Sequence, residues 1–171
     1  MIRSGVIGDP VNHSLSPLIH GHWLETYNIH GTYEARHITA DGLQAGLEQM
    51  RDEVFAGFNV TLPHKKAIMR YCTSCDETAT GVGAANTITI DAEGALHASN
   101  SDVYGFLQHL KASWPAFGDS DKAALILGAG GAARAAVYAL LSAGYRDVRV
   151  ANRTGHKAAG LANEFGIAQT E

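Results

Sequence analysis

Apolar positions fall into short runs cut by glycine, proline and small polar residues, and the period inside each run switches between two and about four. Residues 2–8 read as a first strand, followed by the loop Asp9-Pro10-Val11-Asn12-His13. Ser16-Pro17 then opens a helix, with Ser16 as N-cap, Pro17 at the first position, and Trp23, Leu24 and Tyr27 as its apolar face. Residues 32–38 alternate weakly, as an edge or half-exposed strand does. Asp41 opens a second helix whose Leu43, Leu47 and Met50 follow the i, i+4, i+7 rule. Val54, Phe55, Phe58 and Val60 make a short strand, and Pro63 suits the first position of a helix. Residues 86–90 and 95–98 flank Asp91-Ala92-Glu93-Gly94 as a β-hairpin. This first part is an α/β unit with an antiparallel edge.

The pattern then restarts. Asn100-Ser101-Asp102 precedes a helix over residues 103–112, with Asp102 at the N-cap, and residues 115–121 form a linker rich in small and polar residues. Residues 123–127 are a buried-strand run, Gly128-Ala129-Gly130-Gly131-Ala132-Ala133 a glycine turn, and residues 135–143 an apolar helix. Strand, Gly-x-Gly-x-x-Ala and helix in that order fit the dinucleotide fingerprint, in which glycines let a pyrophosphate approach the helix N-terminus. The second strand, residues 147–151, ends in Asn152-Arg153-Thr154 rather than in an acid. An acid would repel a 2′-phosphate. Arg153, the Thr154 hydroxyl and Lys157 attract one, so NADP is favoured over NAD.

Composition narrows the function. The 171 residues carry a net charge of −4, with 46% hydrophobic and 18% charged residues and no run of lysine or arginine. Those totals fit a soluble globular protein and argue against nucleic acid or an anionic membrane as partner. Met1-Ile2-Arg3-Ser4-Gly5 runs directly into a strand-like segment without the apolar core of a signal peptide, so a cytoplasmic protein acting on a small molecule is expected. Residues 123–144 carry only Arg134 as a charge, but the glycine break makes them strand, turn and helix rather than one membrane span. Cys72 and Cys75 form a lone Cys-x-x-Cys, half of a zinc site with nothing to complete it, and His20 and His22 fall on different helical faces. No metal is expected.

The chemistry concentrates in Phe58-Asn-Val-Thr-Leu-Pro-His-Lys-Lys66. Asn59 and Thr61 alternate with Val60, so an amide and a hydroxyl leave the same face of the strand end, a pair suited to a hydroxylated ligand. Lys65 falls in the first turn of the expected helix, where the macrodipole disfavours a cation and eases proton exchange with an alcohol or ketone. Ser14 and Ser16 straddle Leu15 and either serve the helix start or point toward the same cleft. Asp102 either caps its own helix or pairs with Lys65 to orient the amine.

Taken together, these segments resemble the shikimate dehydrogenase family. The resemblance rests on Gly8-Asp9-Pro10 through Ser14-Leu15-Ser16-Pro17, Asn59-Val60-Thr61-Leu62-Pro63-His64-Lys65, Gly83-Ala84-Ala85-Asn86-Thr87, Asn100-Ser101-Asp102, the glycine turn and Asn152-Arg153-Thr154. It implies NADP-dependent interconversion of 3-dehydroshikimate and shikimate, a step of aromatic amino acid biosynthesis. It implies an α/β substrate-binding catalytic domain with a mixed sheet over residues 1–101, a connecting helix and linker over 102–121, and the first part of a Rossmann NADP-binding domain over 122–171. By the same resemblance Lys65 and Asp102 are the catalytic pair, and Ser14, Ser16, Asn59, Thr61, Asn86 and Asp102 hold the substrate. Glu77 lies near the coenzyme, with Gly128, Ala129, Gly130, Gly131, Ala132, Asn152, Arg153, Thr154 and Lys157 forming its site.

Three departures from the family pattern stand out. Ser101 and Val103 replace a threonine and a glycine, Ala85 replaces a commoner valine, and the chain ends before the rest of a Rossmann sheet. A piece of a longer enzyme, monomeric or homodimeric, is therefore expected. The alternatives are a module that binds shikimate or quinate without turning it over, and a quinate or aminoshikimate dehydrogenase. Retention of both Lys65 and Asp102 speaks for an enzyme.

Overall fold

The structure, a computed structural model, describes residues 1–114, 117–118 and 121–170. The chain divides into two compact units, Met1–Asn100 and Ser101–Glu171. In the first, β1 (Ile2–Gly8) lies between two parallel neighbours, β2 (Gly31–His37) and β3 (Gly57–Val60). Covered on both sides, its second half is wholly buried, which is why the sequence there does not alternate. Beyond β3 the sheet turns antiparallel through β5 (Thr87–Ile90) and β6 (Leu96–Ser99). A two-residue strand, β4 (Ser74–Cys75), then pairs parallel to β6, giving the order β2-β1-β3-β5-β6-β4. The expected hairpin is present. Its Asp91 carboxylate accepts the backbone N–H groups of Glu93 and Ala95, and Gly94 supplies a positive φ of 81°.

Helix α2 (Leu43–Asp52) buries Leu43, Leu47 and Met50 against Ile7, Phe55, Phe58, Ile68, Ile88 and Leu96. Burying each such side chain stabilises the fold by about 1.5–3 kcal/mol. Over Phe55 sit the guanidinium groups of Arg3 and Arg36, 4.7 and 5.4 Å from the ring centre and paired with Glu34 and Glu53. Burial pushes the Glu53 carboxyl up, but hydrogen bonds from Arg36, Gln49 and Arg3 together outweigh it and hold it below its ordinary value.

Several local expectations are corrected. Helix α1 (Ser16–Thr26) starts where predicted, but Leu15 holds the cap position and no residue of α1 is buried; Leu18, Trp23 and Tyr27 are exposed. Val54 is not in a strand. It is exposed at φ 58°, a left-handed position that a β-branched residue fills only under strain. Pro63 opens no α-helix: residues 62–66 form a turn with a cis Leu62–Pro63 bond, and only a 3-10 helix, Ala67–Tyr71, follows. Helix α3 (Glu77–Val82) was not foreseen, although Asp76 caps it by accepting from Ala79 N at 2.5 Å and Gly83 closes it at φ 66°. Both cysteines are free, and burial pushes the Cys72 thiol up to about 11, with the neighbouring Cys75 adding to the rise and Arg51 opposing it.

In the second unit, β7 (Ala124–Leu127), β8 (Val148–Ala151) and β9 (Ala168–Gln169) form a parallel sheet. The third strand was not anticipated. Helix α4 (Asp102–Ser113) packs on α5 (Gly131–Ser142), and α6 (Gly155–Phe165) covers β8. Ser101, not Asp102, holds the cap position of α4, and Asp102 is its first helical residue. Val137, Leu140, Tyr145, Val148, Val150 and Leu161 form the core, while β7, expected to be buried, exposes Leu125 and Leu127. Arg134 is buried, ion-paired to Glu164 and placed over the Phe165 ring. Of the expected linker, Pro115, Ala116, Asp119 and Ser120 lie outside the described residues.

Candidate active site

Six of the polar side chains singled out in the sequence line one cavity of about 280 Å³ in the first unit: Ser14, Ser16, Asn59, Thr61, Lys65 and Asn86. They arrive from four places. Ser14 and Ser16 come from the start of α1, Asn59 and Thr61 from the end of β3, Lys65 from the turn after it, and Asn86 from the residue before β5. Val6, Val60, Pro10 and Val11 supply apolar wall, and His13 joins the lining. Sequence reading placed Pro10, Val11 and His13 in a plain loop; their adjacency to Ser14 was the available signal.

Hydrogen bonds link several of the cavity's side chains to their neighbours. Ser14 Oγ accepts the backbone N–H of Ser16 at 3.2 Å, so the hydroxyl local to the first turn of α1 is that of Ser14 rather than the expected Ser16 cap. Tyr33 donates to Asn59 Oδ1 at 2.7 Å and is also hydrogen-bonded to Ser16. Its ring stacks on His20, 4.0 Å between centres and 5° from parallel. Burial raises the Tyr33 hydroxyl to about 12, with the Ser16 bond pulling the other way, so it stays a donor throughout the neutral range.

Lys65 is half-buried, and the turn carrying it is fixed on both sides. The buried His64 donates from Nε2 to Ile38 O at 2.6 Å, and Lys65 O accepts Ala85 N–H at 2.8 Å. Lys65 thus precedes the 3-10 helix rather than sitting in a helical first turn, which removes the macrodipole argument made from sequence. What positions it is a buried histidine in a tight turn. Glu77 is exposed at the start of α3 and is not among the residues lining this cavity.

The second unit offers a different kind of site. An open groove of about 510 Å³ runs along the carboxyl ends of β7 and β8, lined by Leu127, Gly128, Ala151, Asn152 and Arg153. Between β7 and α5, Gly128 stands at φ 126° and Gly130 is the residue before the helix. A Cβ at Gly130 would meet no atom within 4 Å, so the space in front of α5 is open. Gly130 holds the cap position of the twelve-residue α5 and has no side chain with which to cap it. Gly131 and Ala132 begin that helix, and Ala129 and Ala133 pack into the core beneath it. Asn152 donates to Thr154 O at 3.1 Å, shaping the turn into α6, with Lys157 exposed in its first turn. These residues fit a dinucleotide phosphate: open space, backbone donors and a nearby arginine.

Among the described residues no group of three His, Cys, Asp or Glu could hold a metal ion, and no helix is long and apolar enough to cross a membrane.

A small polar cavity in one α/β unit and a glycine turn feeding a helix in the next fit the class of proteins that handle a hydroxylated small molecule and a dinucleotide. The comparisons with known proteins agree with that class. Residues 6–88 match the family described as "Shikimate dehydrogenase substrate binding domain", and residues 114–171 match "Shikimate / quinate 5-dehydrogenase". The chain belongs to the shikimate dehydrogenase family. It is 45% identical to the shikimate dehydrogenase (NADP(+)) of Jannaschia sp. (strain CCS1) over 163 residues, covering 95% of this chain and 59% of that one. It is 46% identical to that of Brucella canis over 164 residues, 96% and 56% of the two chains. A shikimate 5-dehydrogenase from Thermus thermophilus, solved in complex with NADP(H) and shikimate, is similar with a TM-score of 0.85 and 42% identity over 100% of this chain and 63% of that one. The Aquifex aeolicus shikimate dehydrogenase gives 0.91 and 36%, covering 100% and 63%. The chain thus spans somewhat more than half the length of these relatives.

Proposed function

We propose that this chain carries the substrate cavity and the first part of the coenzyme site of an NADP-dependent shikimate dehydrogenase, interconverting 3-dehydroshikimate and shikimate. The observation that carries the reading is the convergence of Ser14, Ser16, Asn59, Thr61, Lys65 and Asn86 on one cavity. The relatives named above bear the same activity in their names, and one of them was solved with both ligands.

In this reading the hydroxyls of Ser14, Ser16 and Thr61 and the amides of Asn59 and Asn86 hold the carboxylate and ring hydroxyls, and the apolar wall excludes water from the ring. NADPH, when bound, supplies the hydride. Lys65 gives a proton to the alkoxide oxygen that forms at the former ketone, so one carbonyl gains H⁻ at carbon and H⁺ at oxygen. Asp102, the first residue of α4, is the carboxylate we assign to orient Lys65. Gly128 to Ala132 take the pyrophosphate, with Glu77 assigned near the coenzyme. Arg153 with Thr154 and Lys157 takes the 2′-phosphate, and Asn152 shapes that turn.

The test is the rate of NADP⁺ reduction by shikimate at mildly alkaline pH, beside quinate and beside NAD⁺. Turnover confined to shikimate with NADP⁺ supports the assignment. Turnover with quinate alone, or saturable shikimate binding without turnover, overturns it.

A further inference from the structure

We propose that the open edge of β2 is a dimer interface, at which two copies of this chain pair antiparallel about a two-fold axis beside Ala35 and join their six-stranded sheets into one. β2 ends the sheet order β2-β1-β3-β5-β6-β4, with no strand on its far side among the described residues.

Backbone hydrogen bonds fix which residues of β2 face that edge. Ile2 N–H donates to His30 O at 2.9 Å and Ile38 N–H to Gly8 O at 3.1 Å, in a register that sets Ile2 beside Gly31 and Gly8 beside His37. In a parallel pair a bonded residue reaches the two residues that flank its partner. Thr32, Glu34 and Arg36 therefore turn their N–H and C=O groups to β1, and Glu34 O indeed lies against Gly5. Gly31, Tyr33, Ala35 and His37 turn theirs outward, each offering one donor and one acceptor to a further strand.

The side chains choose the partner and the register. Two copies of one strand can pair along this edge only where outward residues meet outward residues, so the axis falls on a single residue. With the axis at Ala35, Ala35 meets Ala35 of the second copy, Tyr33 meets His37, and Glu34 meets Arg36. Moving the axis to Glu34 or to Arg36 sets glutamate against glutamate or arginine against arginine, which is destabilising. Charged side chains on an edge strand commonly keep other strands away. Here opposite charges two residues apart exclude the neighbouring registers and admit one.

Glu34 and Arg36 are ion-paired to each other and, with Arg3 and Glu53, form a group of balanced charge over Phe55. An axis perpendicular to the sheet leaves that group on the same face in both copies. Bringing the two together adds attraction across the axis without net repulsion. The edge also has apolar surface beside it. Helix α1 packs chiefly on β2 and leaves Leu18, Trp23 and Tyr27 exposed, and an open groove of about 450 Å³ between helix and strand is lined by Leu24, Ile29, Gly31 and Tyr33. Pairing of one short strand buries less than the roughly 1,200 Å² of a stable interface, so the two α1 helices, brought to the same axis, supply the remainder.

The test is the mass of the 171-residue chain by sedimentation equilibrium over a concentration series, with circular dichroism checking that each variant folds. The native chain is expected to approach twice its monomer mass as concentration rises. A35P removes an N–H that faces the open edge rather than β1, a position where proline is tolerated. Its dimer dissociation constant is expected to rise about tenfold or more. E34R and R36E are each expected to lose self-association, because the introduced charge meets its like across the axis. An equimolar mixture of the two is expected to restore a dimer, since each variant then meets the opposite charge. That rescue is something a damaged fold does not produce, and it decides the matter should A35P fold poorly. A native chain that is monomeric at every concentration, a dimer that a folded A35P leaves intact, or a mixture no more associated than its two components overturns the inference.

Discussion

The two units build their sites from different materials. In the first unit side chains line the cavity, and several are held by a second side chain or a backbone group: Asn59 by Tyr33 and Thr87, Ser16 by Tyr33, and the Lys65 turn by His64. In the second unit the candidate site is largely backbone, with Gly128 and Gly130 leaving space before the N-terminus of α5. A side-chain site fails through lost chemistry or lost orientation. A backbone site fails when something is added to it.

That contrast is open to attack by mutation. The largest effect is expected in the first unit, where K65A removes the proposed proton donor. Turnover in the shikimate assay should fall by about 10²–10⁴-fold with modest change in shikimate affinity, and equal losses in kcat and affinity would mark Lys65 as a binding group instead. Next is H64A, which leaves Ile38 O without its donor and opens a cavity under the Lys65 turn. A loss of about 3 kcal/mol by chemical denaturation is expected.

In the second unit two glycines should part company. G128A forces a side chain onto φ 126° and is expected to cost about 1–3 kcal/mol of stability. G130A meets no protein atom and should leave stability unchanged while weakening NADP binding, as followed by fluorescence titration. If G130A also lost stability, the open space before α5 would not be a ligand space.

Alkaline titration sharpens the first unit again. Tyr33 ionises near 12 when folded against 10.0 ordinarily. From pH 10 upward the unfolded chain releases a proton that the folded chain keeps, so Tyr33 favours unfolding progressively up to about pH 12. Y33F should lose stability less steeply than the native protein across that window. The smallest effect is expected at Val54, where V54G relieves the left-handed strain at the expense of chain entropy, for a gain of at most about 1 kcal/mol.

What the sequence made legible follows the same division. Periodicity exposed β1, α2, the β5–β6 hairpin and the β7–α5–β8 run, because each buries one face or both and so leaves a repeating apolar mark. The glycine turn was legible because backbone sites are written in glycines. The cavity residues were found as residue types and as a family pattern, and the structure brings six of them together.

What escaped was short, or depended on distant partners. Helix α3 and strands β4 and β9 are two to six residues long and carry no full period. The 3-10 segment took the place of an α-helix because residues 62–66 close a turn on His64 and Ala85. Tyr33 was read as one more residue of an edge strand, since nothing in its neighbours announces a hydroxyl two strands from its partner. The apolar face assigned to α1 was real as a pattern, yet Leu18, Trp23 and Tyr27 stay exposed, so an apolar stripe did not by itself secure burial.

The most direct measurement is a crystal structure of the protein with shikimate at saturating concentration. The ring is expected among Ser14, Ser16, Asn59, Thr61, Lys65 and Asn86, with Lys65 Nζ within hydrogen-bond reach of one ring hydroxyl. A ring bound elsewhere, or one in this cavity with Lys65 turned away from every oxygen, would contradict the account.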